Sequence, residues 1–502
     1  MSLSASISTI DIVIVVIYLL GVTVFGVWVG RGQRGTEDYF LGARSLPWWA
    51  LLLSIVATET STVTFLSLPG VAAAAGGNLT FLQITFGYIL GRLIIIKPLL
   101  PLYFSGRHFT AYEVLEKRFG RLSRRAASSL FLVTRNLSDA LRLFLTALVL
   151  HIVLGLDLAA SIVTLGLLTV VYTLVGGARS VVWNDCIQFA VYILGAGAAF
   201  WVILGALPAG LDDLLRYARA GEKLTLIDMD PGFFKPTMTF WSGMVGGAFL
   251  TMATHGTDQL MVQRYLSARS ERDAARALAV SGFIVFAQFA VFLLMGVALA
   301  AFFTVAKGDI QAAQQAGDRL FATFIVQHMP VGLAGLTLAA VFAAAMSTLS
   351  SSLNSSATAW MSDVYLPLRK RSMPAGRQLS ASRLATAVFG VVQVAIALVV
   401  GAIGMTESVV ASVLKITGFA TGPVLGVYLL AVTLPAVRQP AALLGFMSGV
   451  AGLSLLALGT ALYWPWYAGA GALLTWLAGW VYQQMFDRSG SLASRLSGSE
   501  DI

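Results

Sequence analysis

Runs of about twenty mainly apolar residues, each long enough to cross a bilayer, recur almost from end to end of this 502-residue chain. A water-soluble core could not absorb them, because the buried fraction of a chain rises only slowly with its length. The composition agrees: 57% of the residues are hydrophobic and 11% are charged, where soluble domains carry about 25% charged residues. The sequence therefore reads as an all-α polytopic membrane protein. Its formal net charge of +9 is read first as loop topology, so no nucleic-acid partner is expected. The longest polar stretch, 208–236, has the length of a loop and falls short of the roughly 50 residues of a small domain. One cysteine, Cys186, excludes an internal disulfide, and His108, His151, His255 and His328 show no metal-binding spacing. The start of the chain lacks the basic region of a cleaved signal peptide, so the first apolar run is expected to be retained.

Thirteen spans are expected, near residues 9–29, 46–75, 79–104, 124–153, 158–176, 183–206, 237–263, 276–304, 330–363, 381–403, 407–434, 441–460 and 463–484. The second and ninth are long enough to require a tilt or a break. Counted over alternate loops, 17 basic residues fall on one side, Arg34, Arg264, Lys370 and Arg371 among them, and six on the other, including Lys235. Basic residues stay cytoplasmic. The N-terminus is thus expected outside and the C-terminus inside, in the cell membrane.

The second span carries Glu59 among the hydroxyls of Thr58, Thr60, Ser61, Thr62 and Thr64, with Pro69-Gly70 further along. Non-helical backbone at membrane depth survives only where it lines a cavity or is buried in protein. The seventh span has a similar interruption: Gly246-Gly247, then Thr251, Thr254 and His255-Gly256-Thr257-Asp258. The two lie five spans apart, as they would if spans two to six and seven to eleven were inverted repeats. Paired broken segments in corresponding halves point to a binding site at the midplane; a glycine-rich packing seam is the alternative for the seventh.

That symmetry divides the chain into a first helix and cytoplasmic loop (1–45), a first repeat (46–206) and an extracytoplasmic loop (207–236). A second repeat (237–434) follows, then two peripheral helices with a cytoplasmic tail (435–502).

The ninth span sets Ala344, Ser347, Thr348, Ser351 and Ser355 on one helical stripe. Hydroxyl oxygens suit a desolvated alkali cation, and carbonyls freed by an unwound neighbour would complete its shell. Alternatively these hydroxyls bond back to their own helix and permit close packing.

Together these residues resemble the sodium:solute symporter family. The resemblance rests on Asp38 to Arg44, Gly176 to Gln188, Gln259 to Leu266, Met346 to Ser351 and Gly418 to Gly426, in that order, over about residues 10 to 435. It implies a leucine-transporter-type fold of five-plus-five inverted repeats, alternating access and sodium-driven uptake of a small organic solute. Carried over residue by residue, it implies a sodium site built from the carbonyls of Ala57, Thr60 and Ala344 and the hydroxyls of Ser347 and Thr348. A second sodium, as in some sialic-acid carriers, would be held by Asp185 with Ser347, Ser350 and Ser351; the alternative for Asp185 is a carboxylate at a helix N-terminus. One ion is expected, or two.

The solute is less constrained. Thr85 and Val285 stand where sugar carriers have a glutamate and a lysine, which argues against a glucose-type pocket. Gln83, Ser61 and Thr64 fit the sialic-acid pattern, while Glu59 replaces a hydroxyl. Thr251 and His255, on the interrupted seventh span, are also expected to bind the solute. Arg135, Asp139 and Arg142 share one face of the fourth span, where Arg142 could grip a solute carboxylate or pair with Glu59 or Asp139 instead. A carboxylate-bearing solute is therefore expected; a neutral sugar or amino acid, or proton coupling through Glu59, are the alternatives. A sensor on this scaffold would append a signalling domain, whereas about 18 residues follow the last span. An enzyme would need a nucleophile elbow, an HExxH or a paired carboxylate site, and none is visible. No organic cofactor is expected, and the carrier is expected to work as a monomer among membrane lipid.

Overall fold

The computed structural model describes residues 7–497 apart from 34, 232–236, 312–316, 370–372 and 404–408. Arg34, Lys235, Lys370 and Arg371 of the charge count lie outside the described residues. Regular structure among those described is helical, apart from one bridge of extended backbone between Leu46 and Ala268. Among the described residues, seven helices are long and apolar enough to cross a membrane, and the bent pair Trp48–Glu59 and Thr62–Ala73 makes an eighth candidate. The other expected spans coincide with helices that are short (Gln83–Ile96), rich in charge (Arg121–Leu154), in pieces (Ser242–Leu266) or merged. Leu158–Ala206 holds two expected spans and breaks at Gly177, whose φ of 57° and ψ of −166° no L side chain adopts readily. A Cβ there would lie 2.5 Å from the Tyr39 carbonyl oxygen, so the close approach needs glycine twice over.

Burial sorts the helices by position. The apolar window of the serine-rich helix Leu333–Leu368 is 89% buried, whereas that of Thr9–Val29 is 17% buried and that of Ala375–Ile403 is 22% buried. The serine-rich helix therefore runs through the centre, packed against Leu158–Ala206, and the other two lie at the rim. Small residues make that contact possible: a Cβ on Gly195 would meet the Ala340 Cβ at 2.5 Å.

The first broken helix bends by 56°, and the break falls at Thr60-Ser61, where Thr60 has ψ 78°. Pro69 and Gly70 lie inside the second half, where the Pro69 carbonyl oxygen lies so close that a Cβ on Gly296 would clash with it.

The seventh span breaks elsewhere than its glycines. Gly246 and Gly247 are helical, and the interruption comes at Asp258, with ψ 128°. Asp258 accepts from the Leu260 amide at 2.8 Å and starts the next helix, Gln259–Leu266. Gly243 and Gly247 instead lie against Gln83, Ile84 and Gly87, with a Cβ on Gly247 only 2.6 Å from the Ile84 carbonyl oxygen. The glycines are the packing seam; the carboxylate makes the break.

Candidate functional site

Both breaks open on one central cavity of about 110 Å³, closed on its other sides by Arg121–Leu154 and Val409–Thr433. Of the residues singled out from the sequence, Glu59, Ser61, Thr64, Arg142, Thr251 and His255 line it, with Phe81, Tyr88 and Phe289 forming an apolar wall. Gln83 does not. Its amide donates to the Thr80 and Met238 carbonyls (3.0 and 3.2 Å) and accepts from the Asp228 amide (3.1 Å), pinning the loop before the seventh span. A side-chain amide with its groups satisfied by backbone has none turned towards a solute.

The break at Thr60-Ser61 liberates backbone oxygens beside the serine-rich helix. In a continuous helix the Ser61 amide would bond the Ala57 carbonyl; here it bonds Glu59 at 3.0 Å. The first bond of the second half, Phe65 to Ser61, leaves Thr60 ahead of the new helix. Facing this backbone, the Thr348 hydroxyl donates to the Thr58 carbonyl at 2.8 Å, and the Ser347 hydroxyl to Asp185 Oδ1 at 2.6 Å. Ala344 is one turn away, in the buried central stretch of the same helix. Ser350 bonds back to the Ser347 carbonyl at 3.2 Å.

Asp185 belongs to a denser knot than the sequence suggested. Its Oδ2 accepts from Ser54 at 2.5 Å and lies 3.4 Å from Nη2 of Arg264. The same Nη2 bonds the hydroxyls of Thr58 and Ser351, Nε bonds Ser54 at 2.9 Å and Nη1 bonds the Leu260 carbonyl at 2.6 Å. Arg264 counts as a loop residue in the charge argument; it is in fact buried on the helix that Asp258 starts. The signal available in the sequence was its place beside Gln263 and Tyr265, inside a stretch that already looked structured.

Glu59 also has a different partner from the one expected. Arg92, fully buried, reaches both its carboxylate oxygens through Nη2 (2.6 and 2.5 Å) and Ser281 through Nη1 (3.0 Å). His255 Nε2 lies 3.1 Å from that Nη2, while Nδ1 meets the Tyr265 hydroxyl at 2.9 Å. Arg142 therefore does not borrow Glu59. It pairs with Asp139, to which Arg135 donates twice at 2.5 Å. Asp258 borders the same cavity, so the two arginines have two carboxylates near them rather than one. Arg142 still presents a buried Nε without a partner. Ionised groups at this depth are retained where they pair or bind cargo, and Arg92 is retained by Glu59.

These features can be set beside proteins of known kind. The family model described as "SSF: Sodium:solute symporter family" matches residues 39–449. The sodium/iodide cotransporter of Homo sapiens is 31% identical over 457 residues, 89% of this chain and 69% of that protein. The sodium/sialic acid symporter SiaT of Proteus mirabilis (strain HI4320) is 29% identical over 482 residues, 93% of this chain and 94% of that one. A solved structure of a Na+-coupled sialic acid symporter, substrate-bound and outward-open, superposes with a TM-score of 0.86 at 26% identity, covering 95% of this chain and 98% of its own. The helices accordingly adopt the leucine-transporter-type fold, with its discontinuous helices.

Proposed function

Since the chain belongs to the sodium:solute symporter family, we propose that it is a carrier, not an enzyme, coupling sodium entry to uptake of a small carboxylate-bearing solute by alternating access. The observation that carries the solute class is Arg142 at the cavity wall, with Nε unpartnered and Asp139 shared with Arg135. A guanidinium so placed matches a carboxylate fork. Two relatives are named for iodide and sialic acid, both anions at neutral pH. Sialic acid or another organic acid is the substrate class to test first. The balance of Arg135 and Arg142 against Asp139 and Asp258 supports a second reading, an amino-acid-like solute carrying both charges.

The first sodium would sit between the carbonyls of Ala57, Thr60 and Ala344 and the hydroxyls of Ser347 and Thr348. The ligands of the second, Asp185 and Ser351 with Ser347 and Ser350, are shared with Arg264, so a second sodium and this guanidinium exclude one another there. The repeats run over 46–206 and 237–434, with the N-terminus outside the cell membrane and the basic loops within. Uptake into proteoliposomes, with and without an inward sodium gradient, over a panel of organic acids, sugars and amino acids tests the reading. Uptake that ignores sodium, or a preference for uncharged sugars, would overturn it.

A further inference from the structure

Away from the central cavity, an open groove of about 730 Å³ runs along the rim of the bundle between Arg121–Leu154, the end of the serine-rich helix and Ala375–Ile403. Its walls are apolar and face outwards: Val133 is 68% exposed and Leu384 66%. On one helix the lining extends from Ala381 to Ile396, about 22 Å at 1.5 Å per residue. One leaflet's hydrocarbon depth is only about 15 Å, so the groove can hold an acyl chain over its whole length.

Three arginines stand at the ends of the elements that border one mouth. Two of the helices begin there, and side chains on a helix lean towards its N-terminus. Arg125 lies one turn before Ser129 on the groove face, with a buried Nε lacking a partner. Arg377 lies one turn before Ala381 on the next helix. The third element ends at the same mouth, where Arg369 donates to the hydroxyl of Tyr365 at 2.6 Å and stacks on its ring, 5.4 Å from the centroid. Tyr365 itself lines the groove.

We propose that this groove is a binding site for one anionic phospholipid, its acyl chain along Val133, Val364, Leu384 and Val392 and its phosphate between Arg125, Arg369 and Arg377. An ordinary lipid-facing surface is convex and needs no charge at its end; a concave one headed by three guanidiniums fits the charge of an acidic headgroup at the membrane surface. The occupant would also touch the segment Trp360–Tyr365, a π-helical turn whose Asp363 is held from the other side by Arg124 at 2.6 Å. Such turns are frequent at functional sites. The proposal depends on the orientation given above only for which leaflet supplies the lipid, so a failed transport assay leaves it standing.

The full chain, purified in detergent and stripped of lipid, is titrated with dioleoyl phosphatidylglycerol, dioleoyl phosphatidylcholine or inorganic phosphate. Bound lipid is counted by native mass spectrometry, and the thermal midpoint is followed in parallel. Each basic residue at an anionic surface contributes roughly fivefold, so phosphatidylglycerol should bind at least about tenfold more tightly than phosphatidylcholine and raise the midpoint, with phosphate alone doing neither. Arg125→Gln with Arg369→Gln and Arg377→Gln should reduce phosphatidylglycerol to the phosphatidylcholine level, and Ala385→Trp, which fills the groove, should weaken both lipids. Equal binding of the two lipids by the parent protein, a midpoint shift reproduced by phosphate, or a preference that survives the triple substitution would each overturn the proposal. The parent comparison needs no variant to fold.

Discussion

Arg264 and Asp185 face each other across the bundle core, Nη2 to Oδ2 at 3.4 Å, with the hydroxyls of Ser54, Thr58 and Ser351 gathered round the guanidinium. A carboxylate with converging hydroxyls is what a sodium ion would also seek. The protein thus keeps a tethered cation of its own where a mobile one could bind.

Removing that tethered cation should make folding depend on salt identity. Arg264→Gln leaves Asp185 buried and unpaired, a loss that typically costs about 3–5 kcal/mol. In choline chloride the variant should melt well below the parent, and sodium chloride at equal ionic strength should restore much of the difference. Asp185→Asn combined with Arg264→Gln should cost less than the two single losses added together. A melting curve for Arg264→Gln that is indifferent to sodium would show that no ion takes the vacated place.

At the first sodium position the expectation is kinetic. Ser347→Ala with Thr348→Ala deletes two hydroxyls at roughly 1 kcal/mol each, so half-maximal uptake should need about thirtyfold more sodium. Because Ser347 also holds Asp185, sodium binding in the absence of solute should be measured beside uptake. An unchanged sodium requirement in a well-expressed double variant would remove these residues from the ion site.

The solute assignment turns on Arg142. Arg142→Gln should abolish uptake of carboxylated solutes and leave solute-free sodium binding near the parent value. Arg142→Lys should rescue poorly, since an ammonium cannot reproduce a two-pronged fork. If Arg142→Gln transports an organic acid normally, or fails only by misfolding, the anionic reading falls.

The glycine seam predicts a purely structural failure. A Cβ on Gly87 would intrude on the carbonyl oxygen of Gly243, and one on Gly91 would lie 2.5 Å from that of Ala248. Gly91→Val should therefore force the third and seventh spans apart, with a loss of about 1–3 kcal/mol or more from overpacking, read as a lower melting point. The same change at Gly197, where nothing lies within 4 Å, should be nearly silent.

What could be read from the sequence follows a physical division. Apolar length and the placement of hydroxyls are local properties, so the helical class, the break near Glu59 and the stripe through Ser347 and Ser351 were legible. Partnership between charges is not local. Glu59 meets Arg92 and Asp185 meets Arg264 because the fold brings separate helices together, and no spacing rule announces that. Gln83 misled for a related reason: its type suited a solute, but a loop 145 residues away claimed its oxygen. The break at Asp258 was in view as a residue, yet Gly246 and Gly247, three turns earlier, carried the more familiar signal of an interruption.

The buried ion pairs also impose an order on how the molecule can be made. Asp185 precedes Arg264 by 79 residues, and Asp363 follows Arg124 by 239. At about 5–20 residues per second of synthesis, Asp185 waits several seconds before its counter-charge leaves the ribosome, whereas Arg124 has Glu113 and Glu116 beside it from the start. Helices bearing such orphans must meanwhile rest at the translocon or the bilayer edge, with their charge still wetted. Final closure of the core is then a late event in biogenesis, and substitutions that strand one charge should be seen first as slow assembly and degradation of the nascent chain.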